Sequence, residues 1–200
     1  MRTIMTIILT CGLLILAATA YPQDSVIVNI SPVVCPYADS HLAERLEYKL
    51  STLNRLPLAV HKDAVLPEKF ENLNQIVDRG QTQKARFLVD IYVDKLDLAK
   101  RKITVVPLAV YRYQVYAVIS GHIRIIDVVK KRVVKMNRFQ WESKGSDQWQ
   151  LIDDEPDDPA LNLPADEKII LFDSLEEKAA EGLFEQIKID TRGNHFDTQK

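Results

Sequence analysis

The chain has 200 residues, with 26 Lys and Arg against 28 Asp and Glu, so its formal net charge is only −2. Nearly half of it is hydrophobic (46 %) and it contains six glycines and two cysteines. This composition excludes a disordered polyelectrolyte, a collagen-like repeat and a disulfide-built miniprotein, and leaves an ordinary globular domain held by its core.

Met1-Arg2-Thr3 precedes an uncharged run from Ile4 to Ala17 that closes in Ala18-Thr19-Ala20. A basic start, an apolar centre and small residues before the break predict a signal peptide over 1–20, cleaved after Ala20. The alternative is an uncleaved N-terminal anchor, although the run is shorter than the ~20 residues of a comfortable span. On either reading the body of the protein is exported. Cys11 lies inside the apolar run without a small residue before it, so it does not fit a lipidation site. Cleavage leaves Cys35 as the only cysteine, which excludes an intramolecular disulfide and reads as a small buried residue.

Residues 21–190 fit a single domain. Asp24 to Ile30 predicts a first strand, with Val26, Val28 and Ile30 on one face and Ile27 and Asn29 on the other. Asp39 or Ser40 can cap a helix running to about Leu53, whose stripe is Leu42, Leu46, Leu50 and Leu53. Leu56 to His61 is a short strand candidate broken by Pro57, and so either near a sheet edge or starting after the proline. Pro67 and Glu68 predict the start of a second helix with Phe70, Leu73, Ile76 and Val77 on one face and Gly80 as its stop.

The longest period-2 pattern runs from Ala85 to Trp141. Phe87, Val89, Ile91 and Val93 share a face, with Asp90 and Asp94 on the other, where solvation accounts for both. A connection containing Lys100-Arg101-Lys102 and Pro107 leads into a second strand. Its odd positions, from Tyr111 and Tyr113 to Ile125, are apolar, and Arg112, Gln114, Ser120, His122 and Arg124 mark a wetter face. A polar turn at Asp127 to Lys131 leads into Val133 to Trp141, completing an antiparallel meander. Residues 145–164 read as an acidic loop insertion containing Pro156, Pro159 and Pro164. Its acids lack the order of a calcium loop. A last helix, starting near Pro164 or restarting at Ser174, carries Ile169, Phe172, Leu175, Ala179, Leu183 and Ile187, and residues 191–200 read as a flexible tail. The predicted class is α+β, a three-layer or two-layer sandwich whose mixed sheet contains the long meander.

Catalytic signatures are missing. No phosphate loop or nucleophile elbow occurs, and His41, His61, His122 and His195 have no metal-ligand spacing. No catalytic, cofactor-binding or metal-binding residue is therefore assigned, and no small-molecule substrate is evident. The basic groups Lys100-Arg101-Lys102 and Lys130-Lys131-Arg132 could suggest nucleic acid, but export argues for an envelope partner. These six residues are the candidate partner contacts, with solvated edges and hairpin tips as the plain alternative.

Three passages resemble the CsgG-like periplasmic domain family, which includes the curli secretion component, penicillin-binding-protein activator lipoproteins and the TolB N-terminal domain. They are Leu42-Ala43-Glu44-Arg45-Leu46 before Leu58-Ala59-Val60, then Lys84-Ala85-Arg86-Phe87-Leu88-Val89-Asp90, and Ile123-Arg124-Ile125-Ile126-Asp127-Val128 leading to Val133-Val134. The resemblance spans about Asp24 to Ile189. It implies a non-catalytic interaction or assembly module of the cell envelope, periplasmic or associated with the outer membrane. Its partner would be an envelope protein, an outer-membrane assembly or further copies of the chain. The alternatives are a subunit of an outer-membrane secretion channel and a periplasmic hydrolase with a site across the meander.

Overall fold

The computed structural model describes residues 25–52, 58–64, 66, 72–107, 110–150 and 163–193. The predicted signal peptide with Ala20, the body of the acidic loop (151–162) and most of the tail lie outside them, as do Leu53, Pro67, Glu68 and Phe70. The elements are β1 (Val26–Ile30), α1 (Leu42–Ser51), β2 (Leu58–His61), α2 (Leu73–Thr82), β3 (Phe87–Val106), β4 (Val110–Asp127), β5 (Arg132–Gln150) and α3 (Ala165–Gly193). They form the expected α+β fold on one five-stranded mixed sheet of order β2-β1-β3-β4-β5. β1 runs parallel to both β2 and β3, while β3, β4 and β5 form the antiparallel meander.

Alternation along the strands gives the sheet two unequal faces. On one, Val26, Val28, Ile30, Phe87, Val89, Ile91 and the odd row from Tyr113 to Ile125 join the stripes of α1 and α3 in the main core. On the other, α2 seats Ile76 and Val77 against Ile27, Leu88, Ile126 and Val128 at one end of the meander. Among the described residues, three layers therefore exist only where α2 lies. Each fully buried Leu or Ile contributes about 1.5–3 kcal/mol by leaving water, so the main core carries most of the stability.

α1 buries Leu42, Leu46 and Leu50 at i, i+4 and i+8. Its N-terminus is closed from across the core: Glu176 of α3 accepts the His41 N–H at 2.9 Å and the Ser40 hydroxyl at 2.7 Å. A carboxylate there satisfies a backbone donor and meets the positive end of the helix. One turn on, Arg45 pairs with Asp173 and Glu177, and Lys49 with Glu177 and Glu181, along the rim between the two helices. Lys49 and then Arg45 hold the Glu177 carboxyl below its ordinary range, while Glu177 and then Glu181 raise the Lys49 ammonium.

Several boundaries differ from the sequence reading. α2 begins at Leu73, because Asn72 is extended and its side chain accepts the Asn74 N–H at 3.1 Å. A single helix starting at Pro67 is thereby excluded. Gly80 is inside α2 and is not its stop. A Cβ there would sit 2.5 Å from Val128 Cγ2, so this glycine permits close helix–strand contact. The helix ends in a Schellman turn, with Ala85 N–H on the Gly80 carbonyl, Lys84 N–H on that of Gln81, and Lys84 at φ 57°.

Lys100-Arg101-Lys102 lie within β3, paired with Val115, Gln114 and Tyr113, and not in a connection. β5 runs past Trp141 to Gln150, so Gly145 to Gln150 are strand and not loop. α3 starts at Ala165 and does not restart at Ser174; its stripe is buried from Phe172 onward, but Ile169 is 59 % exposed. Among the described residues no helix is long and apolar enough to cross a membrane.

Candidate functional site

The face of the sheet opposite α1 and α3 carries the polar chemistry of the protein. Asn29, Asp90 and Arg124 occupy one rung across β1, β3 and β4. Asp90 is 0 % exposed, which corrects its reading as a solvated strand residue. Its Oδ1 accepts from Asn29 Nδ2 at 3.1 Å, and its Oδ2 from both Arg124 Nη2 and Arg79 Nη2 at 2.8 Å. A carboxylate can stay charged at such depth only with partners of this kind. The cluster ties α2, through Arg79, to three strands. Arg124 is itself only 4 % exposed, so the row expected to be wetter is buried at this end.

One rung along, the half-buried Tyr92 stacks on His122, with ring centroids 4.4 Å apart and 9° between planes. The Tyr92 oxygen also accepts from Arg124 Nη2 at 2.9 Å. His122 is 5 % exposed, and its Nδ1 lies 3.5 Å from Asp94 Oδ2. A register shift between Val93 and Lys95 marks a bulge at Asp94, beyond which Lys95 pairs with Ser120 and the even positions Leu96 and Leu98 turn to the main core. Opposite Val93 stands Gly121, where a Cβ would fall 2.0 Å from the Tyr92 carbonyl oxygen and 2.7 Å from Phe139 Cζ. Only glycine lets the two strands approach this closely beside the bulge.

Beyond α2 the same face continues over half-buried Ser120, Val118, Tyr116, Gln114 and Arg112, and no helix packs on it among the described residues. Arg101 lies over the Tyr116 ring at 4.9 Å. Arg112 and Lys144 flank Asp147, and the Lys144 hydrogen bond is the main cause holding the Asp147 carboxyl below its usual range. Aromatic rings, guanidiniums and paired carboxylates on a broad surface can bind a macromolecule by stacking and charge complementarity.

The six sequence-selected basic residues do not come together. Arg101 and Lys102 are exposed and Lys100 half-buried in mid-β3, whereas Lys130 and Lys131 sit in the β4–β5 turn and Arg132 opens β5 opposite Asp127. The β4 partners of the two groups, Val115 and Asp127, are separated by roughly 40 Å at the usual strand rise. The Asp127 side chain closes the turn by accepting the Lys130 N–H at 2.9 Å. The Asp90 cluster and the Asp94–His122 contact were missed from sequence. The available signal was a charge set between apolar residues at facing positions: Val89-Asp90-Ile91 and Ile123-Arg124-Ile125.

Among the described residues no group of three or more His, Cys, Asp or Glu could hold a metal ion. No family profile matches the chain, and no curated protein matches it. Solved structures similar to it include TolB from Acinetobacter baumannii, at 16 % identity and a TM-score of 0.40, covering 86 % of this chain and 29 % of that one. A minor lipoprotein from Acinetobacter baumannii aligns at 11 % identity and a TM-score of 0.40, covering 80 % and 91 % of the two chains. Rare lipoprotein B from Shewanella oneidensis aligns at 13 % identity and a TM-score of 0.36, covering 84 % and 97 %. The chain thus spans less than a third of the TolB structure.

Proposed function

We propose that the protein is an exported, non-catalytic interaction or assembly module of the bacterial cell envelope, of the CsgG-like type, located in the periplasm or at the outer membrane. The observation that carries this is the two-sidedness of the meander. One face is consumed by α1 and α3, while the other carries no helix beyond α2 among the described residues and presents Tyr92, Ser120, Tyr116, Arg101 and Arg112. A flat platform of aromatic and paired charged groups suits a protein surface better than a small substrate, which needs a concave site. Of the strand residues only Arg101 belongs to this surface; Lys100 and Lys102, which face Val115 and Tyr113, project from the opposite side of β3, and the basic turn Lys130-Lys131-Arg132 is a separate contact region at the β4–β5 tip. Lys100 to Val106 continues β3, and with Lys100 and Lys102 on one side and Arg101 on the other neither side is the unbroken apolar row of a lipid-facing strand, which argues against the secretion-channel alternative. The test is affinity capture from solubilised envelope with Tyr116→Ala/Arg101→Glu and, separately, Lys130→Glu/Lys131→Glu. Loss of co-purifying envelope proteins from the first supports the platform, and from the second the turn. Recovery unchanged by both removes this surface from the account.

A further inference from the structure

The two edges of the sheet are very different. β2 at one edge has four residues, a length that protects against strand pairing. β5 at the other has 19 residues and pairs with β4 alone among the described strands. From Lys135 to Lys144 its ladder with β4 is regular, without a bulge. Such a run presents a row of outward backbone donors and acceptors, a ready template for another strand.

The side chains on that run indicate which strand it fits. About Gln140 the sequence is chemically self-complementary when read antiparallel. Arg138 falls opposite Glu142, Phe139 opposite Trp141, Asn137 opposite Ser143 and Met136 opposite Lys144. Each pair shares a face, because the members are an even number of residues apart, and each occurs twice in a symmetric dimer. The matches are of the kinds that stabilise facing strands: an opposite-charge pair, an aromatic pair, a polar pair, and an apolar chain along a lysine stem. Moving the centre by one residue in either direction loses the Arg138–Glu142 match. A one-residue move toward the C-terminus sets Arg138 against Lys144, and a two-residue move toward the N-terminus sets it against itself. Arg138 and Gln140 are exposed, Met136 is 53 % exposed, and Phe139 already stacks on Trp141 at 4.8 Å. Lys178 of α3 reaches to this edge and donates to the Glu142 carbonyl at 2.9 Å, a bond that an incoming strand would replace.

We propose that β5 is a homodimerisation edge: two copies pair antiparallel through Met136 to Lys144 about a two-fold axis at Gln140, joining their sheets into one of ten strands. The proposal deepens and rests on the assembly reading by naming one partner, a second copy of this chain.

Light scattering and sedimentation of the protein purified from the envelope test it. Arg138→Glu or Glu142→Arg sets like charges opposite each other twice, and is expected to weaken dimerisation about tenfold. The double reversal Arg138→Glu/Glu142→Arg restores the pairing and with it the dimer. In a Cys35→Ser background, Gln140→Cys brings two thiols together on the axis, where facing strand residues have the Cα separation a disulfide accepts. It is expected to oxidise to a covalent dimer, whereas Gln75→Cys on the exposed side of α2 forms no covalent cross-link. Gln140→Cys that cross-links no better than Gln75→Cys, or a dimer indifferent to the charge reversals, overturns the proposal. A monomer that still captures other envelope proteins would refute the edge while leaving the interaction module intact.

Discussion

Replacing Asp90 by Ala is the sharpest perturbation of the fold. The carboxylate is fully buried and accepts three hydrogen bonds, two of them at 2.8 Å from guanidiniums. Its loss leaves Arg124, 4 % exposed, without the charge that keeps it in the sheet. Removing one member of such a buried set costs about 3–5 kcal/mol, because the other charge stays behind desolvated. Two charge-assisted bonds at about 1.5–3 kcal/mol each lead to the same range. Against a total stability of about 5–15 kcal/mol, Asp90→Ala should remove a large fraction of it. Urea unfolding followed by far-ultraviolet circular dichroism measures the difference. Asp90→Leu combined with Arg124→Met, which removes both buried charges, should recover most of the loss. If Asp90→Ala costs under about 1 kcal/mol, the cluster is solvated in solution and the account of this face is wrong.

The remaining predictions use the same unfolding assay. Gly121→Ala should cost about 3 kcal/mol or more, since its Cβ would overlap the Tyr92 carbonyl at 2.0 Å and backbone must move. Gly145→Ala, whose nearest atom is the flexible Leu171 Cδ2 at 3.2 Å, should cost under about 1 kcal/mol; equal effects would refute the close-approach argument. Leu46→Ala empties the middle of the α1 stripe, 0 % exposed, and should cost about 2–5 kcal/mol. The Glu177 carboxyl has its folded pKa depressed by Lys49 and then Arg45, so its contribution is complete above the unfolded value near ~4.3 and lost as pH falls through the folded value below it. Glu177→Gln should flatten the stability profile in that acid window. The loss at neutral pH should be under about 1 kcal/mol, because the side chain is 52 % exposed.

Alternation and helical spacing made most of the fold legible. The odd row of β4, the two faces of β1, the leucine stripe of α1 and the Asp127–Lys131 turn all stand where periodicity puts them. The errors arose where local chemistry competed with tertiary pairing. Lys100-Arg101-Lys102 look like a turn because three cations run together, yet they belong to β3, which continues because β4 pairs with it residue by residue. Gly80 resembles a helix stop, but packing on Val128 explains it and Lys84 takes the left-handed position. Broken periodicity and the three prolines of 145–164 suggested a loop, although Gly145 to Gln150 are the distal part of β5. The polar cluster was invisible for a different reason. Which charges face one another depends on register, and Asp90 meets Arg124 only through the β3–β4 alignment. Arg79, eleven residues upstream, joins them only because α2 lies on that face.

Those polar and aromatic groups, on the face that no helix covers beyond α2 among the described residues, are the basis for reading the protein as an interaction module, and the pattern of residues 1–20 is the basis for reading it as exported. Cell fractionation with covalent capture tests that reading most directly. A tagged chain expressed at native level is cross-linked in intact cells and separated into cytoplasm, periplasm, inner membrane and outer membrane. The account predicts the protein in the periplasmic or outer-membrane fraction, in cross-linked complexes that diminish with Tyr116→Ala/Arg101→Glu. A chain found in the cytoplasm, or one exported but free of any complex, would contradict it.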